Sequence, residues 1–473
     1  MSLTDALNAS RSGLVATQTW SQLTARNIAN ANTDGYVRKD ISFGTRTLGE
    51  GGTVQVTEIR REIDSSLTRM YRGENSKMAK YQAIYEGIGE YTATLGEPSD
   101  DFSPASRLTQ FQTSLDTLVN SPGNAGAQRG VLDSAQALAT SLNNASDTLG
   151  RVQGEVSREI KYDVSDLNQA LYKIADLNRQ LSGSGSVSIA GADMQDEIDR
   201  QIQKVSQIMD VRVSQGADGR VSLYTAGGSA LIEGDKVSDV RFDEPTGKLF
   251  AGQTEITPNS NSTRGFENGS LAGLFSLKDD VLPRYQLQLD EFARSLVQGF
   301  EGADSSLSAG QAGLFTDAGA AYDPTKLQGL AGRIAVNDAV KPDKGGTLSR
   351  LRDGIGATTP GPAGDATQLN AFAAVFDQPL TVDPATQLSD GMILTDYAAN
   401  MVAAQHVEGS RAQTNYNSTR TTAETVDASR QSIQGVNIDD ELQKMMVIQQ
   451  SYAANSKMMT TVMNMIDTLL KAF

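Results

Sequence analysis

The sequence predicts a mainly α protein with β-rich inserted domains: two terminal helices paired in coiled-coil fashion, an elongated bundle of long helices, and an outer β-containing domain. Three observations lead there. The last 36 residues carry an unbroken apolar seam; residues 65–181 are helical in pattern; and period-two stretches interrupt the helices only at 36–62 and beyond residue 210.

The C-terminal seam reads Ile438, Leu442, Met445, Gln449, Tyr452, Ser456, Met459, Met463, Ile466, Leu470 and Phe473, alternating steps of three and four as coiled-coil core positions do. Nine of its eleven positions are apolar, so a partner is expected along it to the end. The N-terminal counterpart is thinner: Leu3, Leu7, Ser10, Leu14, Thr17, Ser21, Thr24 and Ile28. The two ends can satisfy each other or be held by partners. Trp20 falls outside the thin seam, on the stripe of Ala6, Gly13 and Asn27. A second stripe implies a second neighbour for this helix.

Ser2 with Asp5 is a weak capping box for a first helix reaching about Asn30, and Gly35 suits the positive φ of the turn that follows. Val54, Val56 and Ile59 then mark short extended structure. Ser103-Pro104 is a good helix start, and Leu108, Phe111, Leu115 and Leu118 line the helix it opens. A longer helix follows, its stripe running from Leu138 through Leu149, Val156 and Leu167 to Ile174. About 50 residues of helix span roughly 75 Å. A Gly/Ser run at 182–186 breaks the pattern, and a helix at 192–209 follows. Hairpins are expected at 211–223 and 237–250, and a helix from Ser270 with a kink at Pro283. Residues 302–390 are rich in Gly, Asp, Ala and Pro, with few apolar stripes, and their burial is expected to contribute little to the rest of the fold. A polar helix should occupy 389–433, ended by Gly435, with Asn437 capping the terminal helix. Four domains are expected: 1–35 with 436–473 as the terminal helical assembly domain, 36–181 with 391–435 as the long-helix bundle, 182–301 as a β-containing middle domain, and 302–390 as an irregular outer insertion.

Composition excludes several functions. With 41 basic and 57 acidic residues the net charge is −16, against a nucleic-acid partner, and residues 1–80 carry +3 of it. The absence of cysteine removes disulfides and thiolate chemistry. No apolar run approaches membrane-spanning length, and the N-terminus lacks the pattern of a cleaved secretory signal. The single histidine, His406, reads as a packing or surface residue, and one histidine cannot build a histidine zinc site or serve a catalytic triad beside other roles. No glycine string completes a nucleotide fingerprint. No enzymatic site, cofactor or metal is expected.

Gly13-Leu14-Val15-Ala16, then Asn27-Ile28-Ala29-Asn30, Asn32-Thr33, Gly35-Tyr36 and Arg38, resembles the N-terminal signature of the bacterial flagellar rod, hook and junction proteins. The segment Val54 to Asp64 with Arg72, the run 103–142, the block Asp196 to Gln201, and Gly435-Val436-Asn437-Ile438-Asp439-Asp440-Glu441 with Gln449 to Asn455 are similar to the junction branch of that family. The resemblance implies a non-enzymatic subunit that polymerises at the distal end of the hook and joins hook to filament. It also implies as partners copies of itself, the hook protein, a second junction protein, the filament, a small export chaperone on the C-terminal helix, and the flagellar type III export apparatus. Its location would be the extracellular flagellum. The alternatives are a hook or distal-rod protein of the same family, a secreted murein hydrolase with helical ends, and a cytoplasmic coiled-coil scaffold.

Overall fold

The computed structural model describes residues 3–33, 35–48, 51–184, 188–216, 218–258 and 264–472. The Ser2 cap, Gly185 and Ser186 of the Gly/Ser break, and the Phe473 end of the seam lie outside the described residues. In chain order the structure holds α1 (Leu3–Ala29), β1 (Lys39–Leu48), β2 (Gly51–Arg61), α2 (Ser65–Leu95), α3 (Pro104–Asn120), α4 (Ala125–Ser184) and α5 (Ile189–Ile208). Strands β3 (Val211–Gln215), β4 (Val221–Thr225), β5 (Ala230–Glu233) and β6 (Lys236–Val237) form one antiparallel sheet in that order. A second contains β7 (Val240–Asp243), β8 (Lys248–Ala251) and β9 (Thr254–Glu255). After α6 (Ser270–Ser276) and α7 (Leu282–Gly302) come the short elements β10 (Phe315–Asp317), α8 (Leu330–Arg333), β11 (Ile334–Val336), α9 (Arg350–Asp353) and α10 (Thr367–Ala373). The chain closes with α11 (Leu394–Gln434) and α12 (Ile438–Lys471).

These elements form two compact units. One gathers 1–80, 162–272 and 417–473; the other holds 81–161 and 273–416. The boundaries fall inside α2, α4, α6 and α11 and so cut across the four segments read from the sequence.

In the first unit, the hairpin β1–β2 lies against α1. Leu23, Ile41, Ile59 and Ala192 form a buried cluster, with Trp20, Val56 and Ile189 packed at its margin. Trp20 meets Phe43 edge-on, the ring centroids 5.6 Å apart. Trp20 thus has this hairpin as its neighbour, whereas Gly13 of the same stripe faces the C-terminal helix. The two sheets hang from α4 by paired amides. Asn178 exchanges hydrogen bonds with the Val221 N–H and carbonyl, and Asn168 does the same with Val240. Each side chain acts as one residue of an added strand, satisfying backbone groups that would otherwise be left bare.

The second unit is built on α3, α7 and the first part of α11. Ser103 caps α3 by accepting from the Ser106 N–H, Pro104 occupies the first turn, and Leu108, Phe111, Leu115 and Leu118 are all buried, as their spacing predicts. The irregularity expected at Pro283 lies one turn earlier, as a π-helical turn over Leu277–Val281. The Leu282 N–H bonds to the Leu277 carbonyl, five residues back, and Pro283 has no N–H to continue the ladder.

Residues 302–390 are irregular in conformation, yet the reading of a weakly buried insertion needs correction. Phe315, Phe372 and Phe376 converge on Phe300 of α7, and Phe111 of α3 meets Phe300, Phe315 and Phe376 at centroid distances of 5.4–5.9 Å. Buried carboxylates hold the same segment, one from α7 and one from within the segment itself. Asp290 accepts from the Gly329 and Ala331 N–H groups, and Asp304 accepts from the Ile355 N–H. Isolated phenylalanines on short elements carry no period, which is why spacing alone misses this core.

Truncating Phe300 to alanine should cost about 3–5 kcal/mol, the usual range for a fully buried phenylalanine. Chemical denaturation followed by near-ultraviolet circular dichroism reads it, and a loss below about 1 kcal/mol would contradict the packing described. Replacing 304–385 with a short Gly/Ser linker should likewise destabilise the second unit, since it removes Phe315, Phe372 and Phe376 together.

Candidate assembly interface

The two ends of the chain do pair. Helices α1 and α12 run antiparallel: Gly13 faces Asn455, the Ser21 hydroxyl approaches the Met445 sulfur at 3.7 Å, and Asn27 reaches Glu441. A Cβ added at Gly13 would lie 2.8 Å from Asn455 Oδ1, so the small residue sets how closely the helices approach.

One polar contact fixes their register. Asn27 and Glu441 are both almost wholly buried. Asn27 Nδ2 donates to Glu441 Oε2 at 3.0 Å and to the Lys39 carbonyl at 2.9 Å. Its Oδ1 accepts from the Tyr36 hydroxyl at 2.8 Å and the Lys39 N–H at 3.2 Å. All four hydrogen-bonding positions of the amide are used. Lys444 Nζ donates to the other Glu441 oxygen at 2.7 Å. Burial, then Asp196 and Asp193, push the Tyr36 phenol far above its ordinary range, so it stays protonated and able to donate.

A second knot holds the hairpin to α5. Buried Lys39 donates to Asp193 at 2.8 Å and to Asp196 at 2.5 Å, while Arg61 donates to Asp196 at 2.7 Å and to Asp199 at 2.5 Å. Burial, the largest influence, holds the Asp196 carboxyl above its usual range, and Arg61 and Lys39 oppose it. Lys39 also sits 4.2 Å from the centre of the Tyr36 ring.

The remaining signature residues shape the turns. Gly35 has φ +72°, a conformation that favours glycine. Asn30 donates to the Arg26 carbonyl and accepts from the Thr33 hydroxyl, and Asn32 is exposed. The Arg38 N–H bonds to the Gln434 carbonyl at 2.8 Å. A Cβ on Gly435 would stand 2.5 Å from the Gln431 carbonyl oxygen. Asn437 caps α12 by accepting from the Asp439 and Asp440 N–H groups.

The seam itself is divided. Leu3, Leu7, Leu14 and Ile28 are half-buried, as are Met445, Met459 and Ile466. Ile438, Leu442, Tyr452, Met463 and Leu470 are exposed, Leu470 at 72%. The fully buried positions of α12 are Glu441, Ile448 and Val462, which the seam omits. A second heptad frame contains them: 441, 445, 448, 452, 455, 459, 462 and 466. It shares Met445, Tyr452, Met459 and Ile466 with the first frame. Helix α1 takes this second frame, in which Glu441, Ile448 and Val462 are buried and Met445, Met459 and Ile466 half-buried, and the row containing Leu442, Met463 and Leu470 is left uncovered. Leu469, Met446, Met458 and Met465 are exposed as well.

Elsewhere, His406 Nε2 lies 2.8 Å from the Gly96 carbonyl oxygen, which fixes that nitrogen as the donor. Among the described residues no helix is long and apolar enough to cross a membrane, and no group of His, Asp and Glu is arranged to hold a metal.

Residues 90–309 match the family model of the flagellar hook-associated protein FlgK helical domain, and 429–472 match that of the flagellar basal body rod FlgEFG protein C-terminal region. Flagellar hook-associated protein 1 of Bacillus subtilis (strain 168) is 27% identical, over 98% of this chain and 97% of its own. That of Escherichia coli (strain K12) is 23% identical, over 98% of this chain and 99% of its own. The solved structure of the flagellar hook junction protein FlgK from Burkholderia pseudomallei aligns with 52% of this chain and 46% of its own, with a TM-score of 0.43 and 20% identity.

Asn27→Ala should destabilise the α1–α12 pair by roughly 2–4 kcal/mol, because it leaves a buried Glu441 oxygen and the Tyr36 hydroxyl without their partner. Amide hydrogen exchange should speed up along α12 first. Asn32→Ala, at an exposed turn position, should change stability by less than about 0.5 kcal/mol. Equal effects at the two positions would contradict the role given to the Asn27 amide.

Proposed function

Since this chain belongs to the family of flagellar hook-associated protein 1, we propose that it is a structural subunit that polymerises at the distal end of the hook and joins hook to filament. The observation that carries the reading is the uncovered apolar row of α12. A helix with one heptad row turned to its own partner helix and a second row of Leu and Met left bare is built for contact with other chains. A heterologous contact that repeats without closing generates a helical assembly. The module made of 1–35 and 436–473 thus packs with copies of itself, with the hook protein below, and with a second junction protein and the filament beyond. The subunit acts in the extracellular flagellum, exported through the type III apparatus. It is non-enzymatic: its buried acids Asp290 and Asp304 hold backbone amides, and His406 holds a carbonyl.

Before assembly the same row needs protection. Met446, Met458, Met463 and Met465, exposed beside the half-buried Met445 and Met459, give α12 a face that adapts to more than one surface. A small export chaperone binding 435–473 as a helix in a groove supplies that cover. Titration calorimetry should show binding by full-length chain and none by a chain ending at Gly435. Equal binding by both would remove the chaperone from this site.

Leu470→Asp should leave the free subunit as stable as the parent, since Leu470 is solvent-exposed there. In the assembly the same charge would be buried unpaired, at a cost of several kcal/mol. In a deletion strain carrying this variant, electron microscopy should show hooks without filaments, with filament subunits in the medium. Filaments of normal number on the variant would place the assembly surface elsewhere. If the deletion strain lacks hooks altogether, the protein is a hook or distal-rod subunit instead.

A further inference from the structure

A cleft of about 770 Å³ opens in the first unit between the start of α2, the middle of α5 and the strands β3 and β4. Its charge is out of keeping with the chain around it. Four arginines line it, Arg61, Arg69, Arg72 and Arg212, against two carboxylates, Asp199 and Asp210. Both carboxylates are already committed. Asp199 accepts from Arg61, and Asp210 accepts from the Glu267 and Asn268 N–H groups and the Asn268 side chain. Among the described residues, no ion pair or hydrogen bond engages the guanidinium groups of Arg69, Arg72 or Arg212. Arg72 is half-buried, and loss of water holds its guanidinium below the usual range, with Arg69 adding repulsion and only Asp199 opposing it.

We propose that this cleft is a docking site for an acidic peptide segment of a neighbouring copy, whose carboxylates are received by Arg69, Arg72 and Arg212. The proposal rests on the assembly function given above. A planar guanidinium matches a carboxylate with two parallel hydrogen bonds, and three of them around one cleft fit a short run of Asp and Glu better than a single ion. The neighbour has the matching charge. The second unit carries 27 Asp and Glu against 15 Lys and Arg, a balance of −12, whereas the unit holding the cleft balances at −4. The surplus arginines therefore attract the acidic unit of another copy while the general negative charge keeps free subunits apart.

The test uses the full chain and fluorescein-labelled deca-glutamate, followed by fluorescence anisotropy at low salt. The parent protein should bind saturably. Arg69→Gln with Arg212→Gln should weaken binding at least tenfold; both residues are exposed, so circular dichroism should be unchanged. A charge-matched control, Arg179→Gln with Arg241→Gln, changes exposed arginines away from the cleft and should stay within twofold of the parent. Equal losses in the two double variants would overturn the site, reducing it to net charge. Full displacement of the peptide by inorganic phosphate at matched ionic strength would overturn the peptide as occupant. In a deletion strain that the parent gene restores, the Arg69/Arg212 variant should leave fewer hooks bearing filaments. Normal filaments on that variant would overturn the docking role while the junction function stands. Failure of the parent gene itself to restore filaments would instead count against the junction function, and the peptide measurement would still decide the cleft.

Discussion

The terminal unit depends on one buried amide. Asn27 gathers the turn after α1, through Tyr36 and Lys39, and the first turn of α12, through Glu441. Each partner is itself desolvated or charged, so each would cost free energy if left alone. Lys39 passes the constraint on to Asp193 and Asp196 of α5, and Arg61 links the far strand of the hairpin to the same acids. Chain segments from both ends and the middle of the sequence thus share one hydrogen-bonded knot, and the apolar cluster around Leu23 closes over it.

The pairing of α1 with α12 follows a division of labour between residue types. Gly13, Ser10, Thr17, Asn27, Asn455 and Glu441 give close approach and directional bonds but bury little apolar area. Ile448 and Val462 are buried and Met445, Met459 and Ile466 half-buried on the same side of α12, whereas Leu442, Met463 and Leu470 remain outside that contact. Apolar burial is the largest source of association free energy available to a helix. Here the row of Leu442, Met463 and Leu470 is left for other chains, and the Asn27–Glu441 hydrogen bond specifies the chain's own register.

Much of the fold was legible in the sequence because it is periodic. The α4 stripe from Leu138 to Ile174 is buried throughout, Ser103 and Asn437 cap the helices they were expected to cap, and the hairpin at 211–223 forms. The terminal seam was read in a single frame, although the residues admit two. Two heptad frames share Met445, Tyr452, Met459 and Ile466, and spacing cannot say which flanking row faces α1. The meeting of Asn27, Tyr36 and Glu441 was not legible: the signature residues could be named, but contacts between distant positions leave no trace in a single chain. The core of 302–390 escaped for a different reason. Phe315, Phe372 and Phe376 come from separate short elements, so no window of sequence contains their pattern.

Asn27 and Glu441 stand 414 residues apart in the chain. Bringing such distant points together costs roughly 5 kcal/mol of chain entropy by the usual logarithmic law, and contacts of long separation form slowly. The α1–α12 pair cannot nucleate locally and gains nothing until Glu441 is available. A chain that emerges with its N-terminus first therefore carries a first helix matched on its hairpin side and unmatched on its α12 side for most of its length. The helices and sheets between the ends can settle beforehand, each on contacts closer in sequence. The α1–α12 pair is therefore the last part of its unit to close, and its closing reports that Glu441 has arrived.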